Sequence, residues 1–243
     1  MRTAVLVDGA FFLKRFRRVF PDGSLRSPAV IAHTVHVLAQ EHLKRLGRDQ
    51  QALYRIFFYD APPLLKRMHR PISNRSVDLA TSDEAKFRIA MHQALRRQRK
   101  VALRLGQLSD HVGWALKDAV LKSLLKRERS WSELSDDDFQ LTVQQKAVDM
   151  RIGLDIASLA YRRLVDQVIL VTSDADFLPA AKLARREGID FMLDPMGRAI
   201  GDHLHEHIDG VQSTRLVNLA IQIQEFVESQ TARSNDHMNE DDD

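Results

Sequence analysis

The chain has 243 residues, 44% hydrophobic and 28% charged, with ten glycines, seven prolines and no cysteine, a composition that suits a globular domain with a sizeable core. Lacking cysteine, it has no disulfide framework, thiolate nucleophile, iron–sulfur cluster or thiolate zinc site, so any metal is held by oxygen or imidazole and a cytoplasmic setting is expected. The net charge of +3 hides an asymmetry: residues 61–130 carry sixteen Lys or Arg against six Asp or Glu, while 225–243 carry seven acidic residues against one Arg, so the middle of the chain suits a polyanionic partner.

In chain order, residues 3–7 (TAVLV) read as a short buried strand ending at Asp8-Gly9. The apolar run stops at Asp8, and no uncharged run approaches the roughly 18–20 residues needed to cross a bilayer, so neither an anchor, a signal peptide nor a membrane partner is expected. Ser27-Pro28 caps an amphipathic helix that stops at Gly47, and residues 54–59 (YRIFFY) form a second strand closed by Asp60-Ala61-Pro62-Pro63. Thr81 with Glu84 resembles a capping box for a basic helix to about Arg99, followed by a strand over 101–105. Residues 114–126 have helical apolar spacing, 130–138 are polar and acidic, and 150–164 form another amphipathic helix. Residues 168–172 (VILVT) read as a strand buried on both faces, 177–187 as a helix ending at Gly188, and 190–193 as a further strand. A closing helix over 216–227 precedes a polar, acidic tail expected to be disordered. The alternation of strands and helices predicts an α/β fold with a mainly parallel sheet, its active crevice beyond the carboxyl ends of the strands.

Asp8, Asp60 and Asp174 all follow such ends. If the strands at 3–7 and 168–172 are neighbours, Asp8, Asp174 and Asp176 share one edge, where unpaired carboxylates about 4 Å apart repel by roughly 4 kcal/mol at an effective dielectric of 20. Such a cluster needs bound cations or protonated members, and hard oxygen donors select Mg²⁺ or Mn²⁺. Any one of these aspartates is also explained as a helix N-cap. Asp149, at the start of the helix before VILVT, can reach the same crevice. Asp155, about 240° further around that helix, is a supporting candidate, as is Ser173, whose hydroxyl can orient a carboxylate or a water. Lys66, Arg67, Arg70 and Arg75 follow the YDAPP edge and, with Lys146, are the candidate contacts to substrate phosphates.

Four pieces in this order, VLVDGAFF, YRIFFYDAPP, QKAVDMRIGLDIAS and VILVTSDADFLPAAKLARREGID, resemble the NYN-domain family, in its LabA-like branch, within the PIN-like nuclease superfamily. The resemblance implies a PIN-like (Rossmann-like) sheet flanked by helices and a Mg²⁺- or Mn²⁺-dependent ribonuclease whose catalytic, metal-holding cluster is Asp8, Asp149, Asp174 and Asp176. Where many relatives carry Asn three residues after the first Asp, this chain has Phe11. The expected organisation is one domain over 1–225 with a basic helical insertion around 61–130, then the acidic tail 226–243.

Metal-assisted phosphodiester hydrolysis needs no side-chain nucleophile. A non-catalytic regulator that keeps the fold and binds nucleic acid or protein is the alternative, but a binder gains nothing from four carboxylates that repel a phosphate backbone. An aspartyl phosphatase would need an Asp-x-Asp pair after the first strand, and Asp8-Gly9-Ala10 has one Asp. His203, His205 and His207 invite a zinc reading, but no H-E-x-x-H motif surrounds them and they are read as surface histidines. Trp114 and Trp131, like Phe57, Phe58 and Phe177, are read as core. RNA is the expected partner, and a homodimer is compatible with the sequence.

Overall fold

The computed structural model describes residues 1–21, 25–109, 111–143 and 145–240, with backbone alone at 230, 231 and 233–240. Its elements run β1 (Thr3–Asp8), α1 (Gly9–Val19), α2 (Pro28–Arg45), β2 (Leu53–Asp60), β3 (Arg67–His69), β4 (Ser76–Asp78), α3 (Asp83–Arg97), β5 (Val101–Leu105), β6 (Gln107–Leu108) and β7 (Gly113–Leu116). They continue with α4 (Asp118–Leu125), β8 (Phe139–Thr142), β9 (Gln145–Lys146), α5 (Val148–Tyr161), β10 (Gln167–Val171), α6 (Leu178–Arg186), β11 (Asp190–Asp194), α7 (Asp202–His205), β12 (Gly210–Val211) and α8 (Ala220–Glu240).

Six strands form one parallel sheet in the order β12-β11-β10-β1-β2-β5. Parallel strands need crossovers, and the crossover helices bury both faces, which is why TAVLV and QVILV are apolar without alternation. Val5 and Val7 point into a core shared with α1, α2 and α3. Ala4 and Leu6 point the other way, into a core shared with α5 and α6. The fold is therefore α/β with a parallel sheet between helical layers, as the sequence pattern predicts. Among the described residues no helix is long and apolar enough to cross a membrane.

Several elements differ from expectation. Helix α1 was hidden by Lys14, Arg15, Arg17 and Arg18, although Phe12, Leu13 and Phe16 supply its buried stripe. Ser82, not Thr81, caps α3 by accepting from the Ala85 N–H at 3.2 Å, and the Thr81 hydroxyl donates to the Asp78 carbonyl instead. The region 61–130 is not a helical insertion: β5 belongs to the main sheet, and outside it lie the antiparallel pairs β3-β4, β6-β9 and β7-β8. Residues 113–116 pair as β7 with β8 before α4 begins at Asp118, so the helical spacing over 114–126 spans two elements. Trp131 is 69% exposed and Trp114 is half-buried, so neither indole fills a core. Phe57, Phe58 and Phe177 are buried. The closing helix does not end near 227 but runs to Glu240, because residues 228–240 contain no Gly or Pro to stop it. The last three acidic residues lie outside the described residues.

Two glycines are required by close approach. A Cβ on Gly9 would lie 2.4 Å from the Tyr59 carbonyl oxygen and 2.7 Å from the Phe58 ring, so only glycine lets α1 leave β1 directly against β2. A Cβ on Gly106 would lie 2.6 Å from Val148 and 2.7 Å from the Lys146 carbonyl, so this glycine lets the β5–β6 turn seat the start of α5. Gly9→Ala should therefore overpack the β1–α1 turn, lowering stability by about 1–3 kcal/mol in thermal or urea melts. An unchanged midpoint would mean that the Gly9–Tyr59 contact does not form.

Candidate active site

The parallel register of β1 on β10 pairs Val7 with Val171, so the chain leaves both strands side by side and Asp8 meets Thr172. The Thr172 hydroxyl donates to Asp8 Oδ2 at 3.3 Å and accepts the Asp174 N–H at 3.3 Å. Thr172 is 1% exposed. It ties the first aspartate to the turn bearing the third, a role the sequence reading missed. The available signal was a hydroxyl residue closing an otherwise apolar strand.

Asp8 caps α1 by accepting the Phe11 N–H on Oδ1 at 3.1 Å, and Asp174 accepts the Asp176 N–H on Oδ1 at 3.0 Å. Capping and clustering are thus compatible, since each cap occupies one oxygen. Phe11 contributes its amide, while its ring packs partly buried against the core, so position 11 brings no polar side chain. Asp149 lies in the first turn of α5, after Ala147 in the left-handed conformation (φ 64°).

Burial raises the Asp8 carboxyl above its ordinary 3.8, with the negative charge of Asp149 adding to the rise and hydrogen bonds from Phe11 and Thr172 opposing it. Desolvation raises the Asp149 carboxyl too, followed by the charges of Asp174 and Asp176. The charge of Asp149 thus bears on Asp8, and the charges of Asp174 and Asp176 bear on Asp149. Among the described residues none of them forms an ion pair with Lys, Arg or His. No three of the four bring carboxylate oxygens within 4.8 Å of one another, so a cation shared by three of them would need their side chains to draw together. Its donor set, carboxylate oxygen throughout, fits Mg²⁺ or Mn²⁺.

The other candidates lie as follows. Asp155 accepts from the Tyr59 hydroxyl at 2.9 Å and pairs with Arg104 Nε at 3.1 Å, so its charge is opposed and it stands apart from the repelling set. Ser173 is half-buried, and its hydroxyl makes no hydrogen bond among the described residues. Asp60, which also ends a strand, is fully buried between Arg88 (2.6 Å) and His92 (2.8 Å) and serves as a structural ion pair. Lys66, Arg67, Arg70 and Arg75 occupy the β3–β4 hairpin and the residue before it. Arg67 lies 3.6 Å from Asp78, Arg70 stacks over the Trp114 ring at 5.1 Å, and Lys66 and Arg75 are exposed. Lys146 is exposed in β9, three residues before Asp149.

Residues 134–199 match the NYN domain family. The matched segment, about a quarter of the chain, runs from before β8 through β11 and holds Asp149, Asp174 and Asp176. The six-stranded parallel sheet with helices on both faces agrees with a PIN-like NYN fold. Among solved structures, the chain is similar to a Vibrio parahaemolyticus protein of unknown function at 15% identity, covering 87% of this chain and 91% of that one with a TM-score of 0.45. It is also similar, at 14% identity, to a chain from a study of the mechanism and regulation of Sir2 enzymes, covering 95% and 94% with a TM-score of 0.34. No curated protein matches the chain.

The direction of the Asp149 shift fixes a sign. A carboxyl raised in the folded state contributes stability that is full below its ordinary 3.8 and is lost as pH rises through the raised value. Asp149 is exposed, so solvent screens much of this repulsion; in the metal-free protein at pH 7, Asp149→Asn should still melt above wild type, and the gain should shrink as pH falls toward 3.8. A variant that melts at or below wild type at neutral pH would contradict the repulsion.

Proposed function

We propose that the chain is a metal-dependent ribonuclease that hydrolyses RNA phosphodiester bonds at the edge formed by Asp8, Asp149, Asp174 and Asp176. The observation that carries this reading is that the register of β1 on β10 brings Asp8 beside the Thr172–Asp174 turn, with Asp149 close enough for its charge to act on Asp8, and that among the described residues none of the four is paired with a basic side chain. Such an arrangement costs stability unless a cation joins it. Hard oxygen donors suit Mg²⁺ or Mn²⁺, and a bound ion supplies Lewis acidity and charge neutralisation for attack of water on phosphorus. The match to the NYN family, nuclease-like in general, supports the same reading.

The chain's own residues divide the remaining work. Thr172 holds Asp8 and the Asp174 turn in fixed relation, and the start of α5 presents Asp149. Exposed Lys66, Arg67 and Arg75, with Lys146, offer cations to substrate phosphates outside the acidic edge, where a phosphate backbone is repelled until a metal is bound. Arg70 and Trp114 present a stacked guanidinium and indole on the same hairpin region, a surface on which an unpaired base can stack.

Purified chain should cleave a mixture of single-stranded and structured RNA with Mn²⁺ or Mg²⁺ and not with EDTA. Asp174→Asn should lower the rate by about a hundredfold or more with the circular dichroism spectrum unchanged. Cleavage in EDTA, or full activity of the variant, would contradict the proposal. RNA retained without cleavage by wild type in Mn²⁺ would favour the binding regulator.

A further inference from the structure

Away from the aspartate edge, one group of side chains among the described residues brings three metal-ligand atoms within 4.8 Å of one another: His203, Glu206 and His207. Helical geometry persists beyond α7, since the Glu206 N–H donates to the Asp202 carbonyl (3.1 Å) and the His207 N–H to that of Leu204 (3.2 Å). Positions i, i+3 and i+4 therefore share one face. The turn is anchored from below by buried Leu204 and Ile208, and from the side by Arg185 donating to the Glu206 carbonyl at 3.4 Å. The two imidazoles meet edge to face with centroids 5.4 Å apart. Among the described residues none of the three side chains is engaged in a hydrogen bond or ion pair. His205, although it alternates with the other two histidines in sequence, is outside the trio.

His207 also lines an open cavity of about 800 Å³ whose wall includes Lys182, Arg185 and Arg186. Arg185 is paired with Asp209 at 2.8 Å, whereas Lys182 and Arg186 have no ion-pair partner among the described residues. Asp209 accepts the Phe191 N–H at 2.8 Å and donates its own N–H to the Phe191 carbonyl. The trio thus sits at the start of β11, the end of the sheet opposite Asp8.

We propose that His203, Glu206 and His207 bind a divalent transition ion of the zinc class, with an anionic ligand of the phosphate type on the open coordination position, drawn from the basic cavity. Two imidazoles and one carboxylate favour Zn²⁺ over Mg²⁺, so this site and the all-oxygen edge sort metals by chemistry. Tetrahedral bonds of about 2.1 Å put ligand atoms about 3.4 Å apart, within reach of small rotations of exposed side chains. Three protein ligands leave a fourth position, and the neighbouring Lys182 and Arg186 favour an anion there over a second cation.

The test uses the full, untagged chain in equilibrium dialysis against ZnCl₂ with excess MgCl₂ present. Wild type should take up one Zn²⁺ at this site, the His203→Ala/His207→Ala double variant and Glu206→Gln should each bind it roughly tenfold or more weakly, and Asp174→Asn should bind as wild type does. Inorganic phosphate should bind the zinc-loaded chain and not the zinc-free chain. Thermal melts of the variants confirm that they fold, and Glu206→Gln preserves the test if the double variant does not. Failure of wild type to bind Zn²⁺ saturably, binding unchanged in the folded histidine or glutamate variants, or binding lost only in Asp174→Asn would overturn the assignment. Phosphate binding that ignores zinc would overturn its anionic half.

Discussion

The parallel pairing of β1 with β10 is the constraint on which the candidate active site depends. Because Val7 lies opposite Val171, the two chain exits are adjacent, and one hydroxyl, that of Thr172, can hold both the Asp8 carboxylate and the backbone of Asp174. A slip of the pairing by one residue would exchange the faces of every strand side chain and would part these groups. The buried apolar faces of the central strands, not the aspartates themselves, therefore fix the site. The sheet places Asp8 and the Asp174 turn side by side, and the start of α5 adds Asp149.

The carboxylates near this edge fall into two groups according to their partners. Asp60 has Arg88 and His92, Asp155 has Arg104 and Tyr59, and Asp194 is fully buried with hydrogen bonds from the Met196 and Thr214 amides and His42 Nε2 at 2.8 Å. Losing one partner of the buried Asp60 or Asp194 pairs costs about 3–5 kcal/mol, whereas Asp155 and the 44%-exposed Arg104 form a solvent-screened pair; all three groups join helices or loops to the sheet. Among the described residues, Asp8, Asp149, Asp174 and Asp176 have amide or hydroxyl partners at most. That contrast, more than the number of acidic residues, separates architecture from candidate chemistry.

Much of this was legible in the sequence because burial on both faces leaves unbroken apolar runs. TAVLV and VILVT marked the central strands, and the aspartate directly after each marked the edge. Helix α1 was illegible because its polar face is densely basic and outweighs three buried apolar residues in a composition-based reading. The pairs β3-β4, β6-β9 and β7-β8 were illegible because strands of two to four residues are shorter than any period that can be counted. Asp60 looked equivalent to Asp8, since nothing local announces that Arg88 and His92, 28 and 32 residues later, turn toward it. Glu206 was overlooked between two histidines because its place beside them depends on a helical turn continuing past α7.

Whether the aspartate edge holds a cation can be read directly. Crystals of the chain grown or soaked with MnCl₂, measured at a wavelength where manganese scatters anomalously, test it without reference to any substrate. An anomalous peak is expected within about 2.6 Å of carboxylate oxygens from Asp8 and from at least one of Asp149, Asp174 and Asp176. No peak at that edge, or manganese bound only at His203, Glu206 and His207, would contradict it.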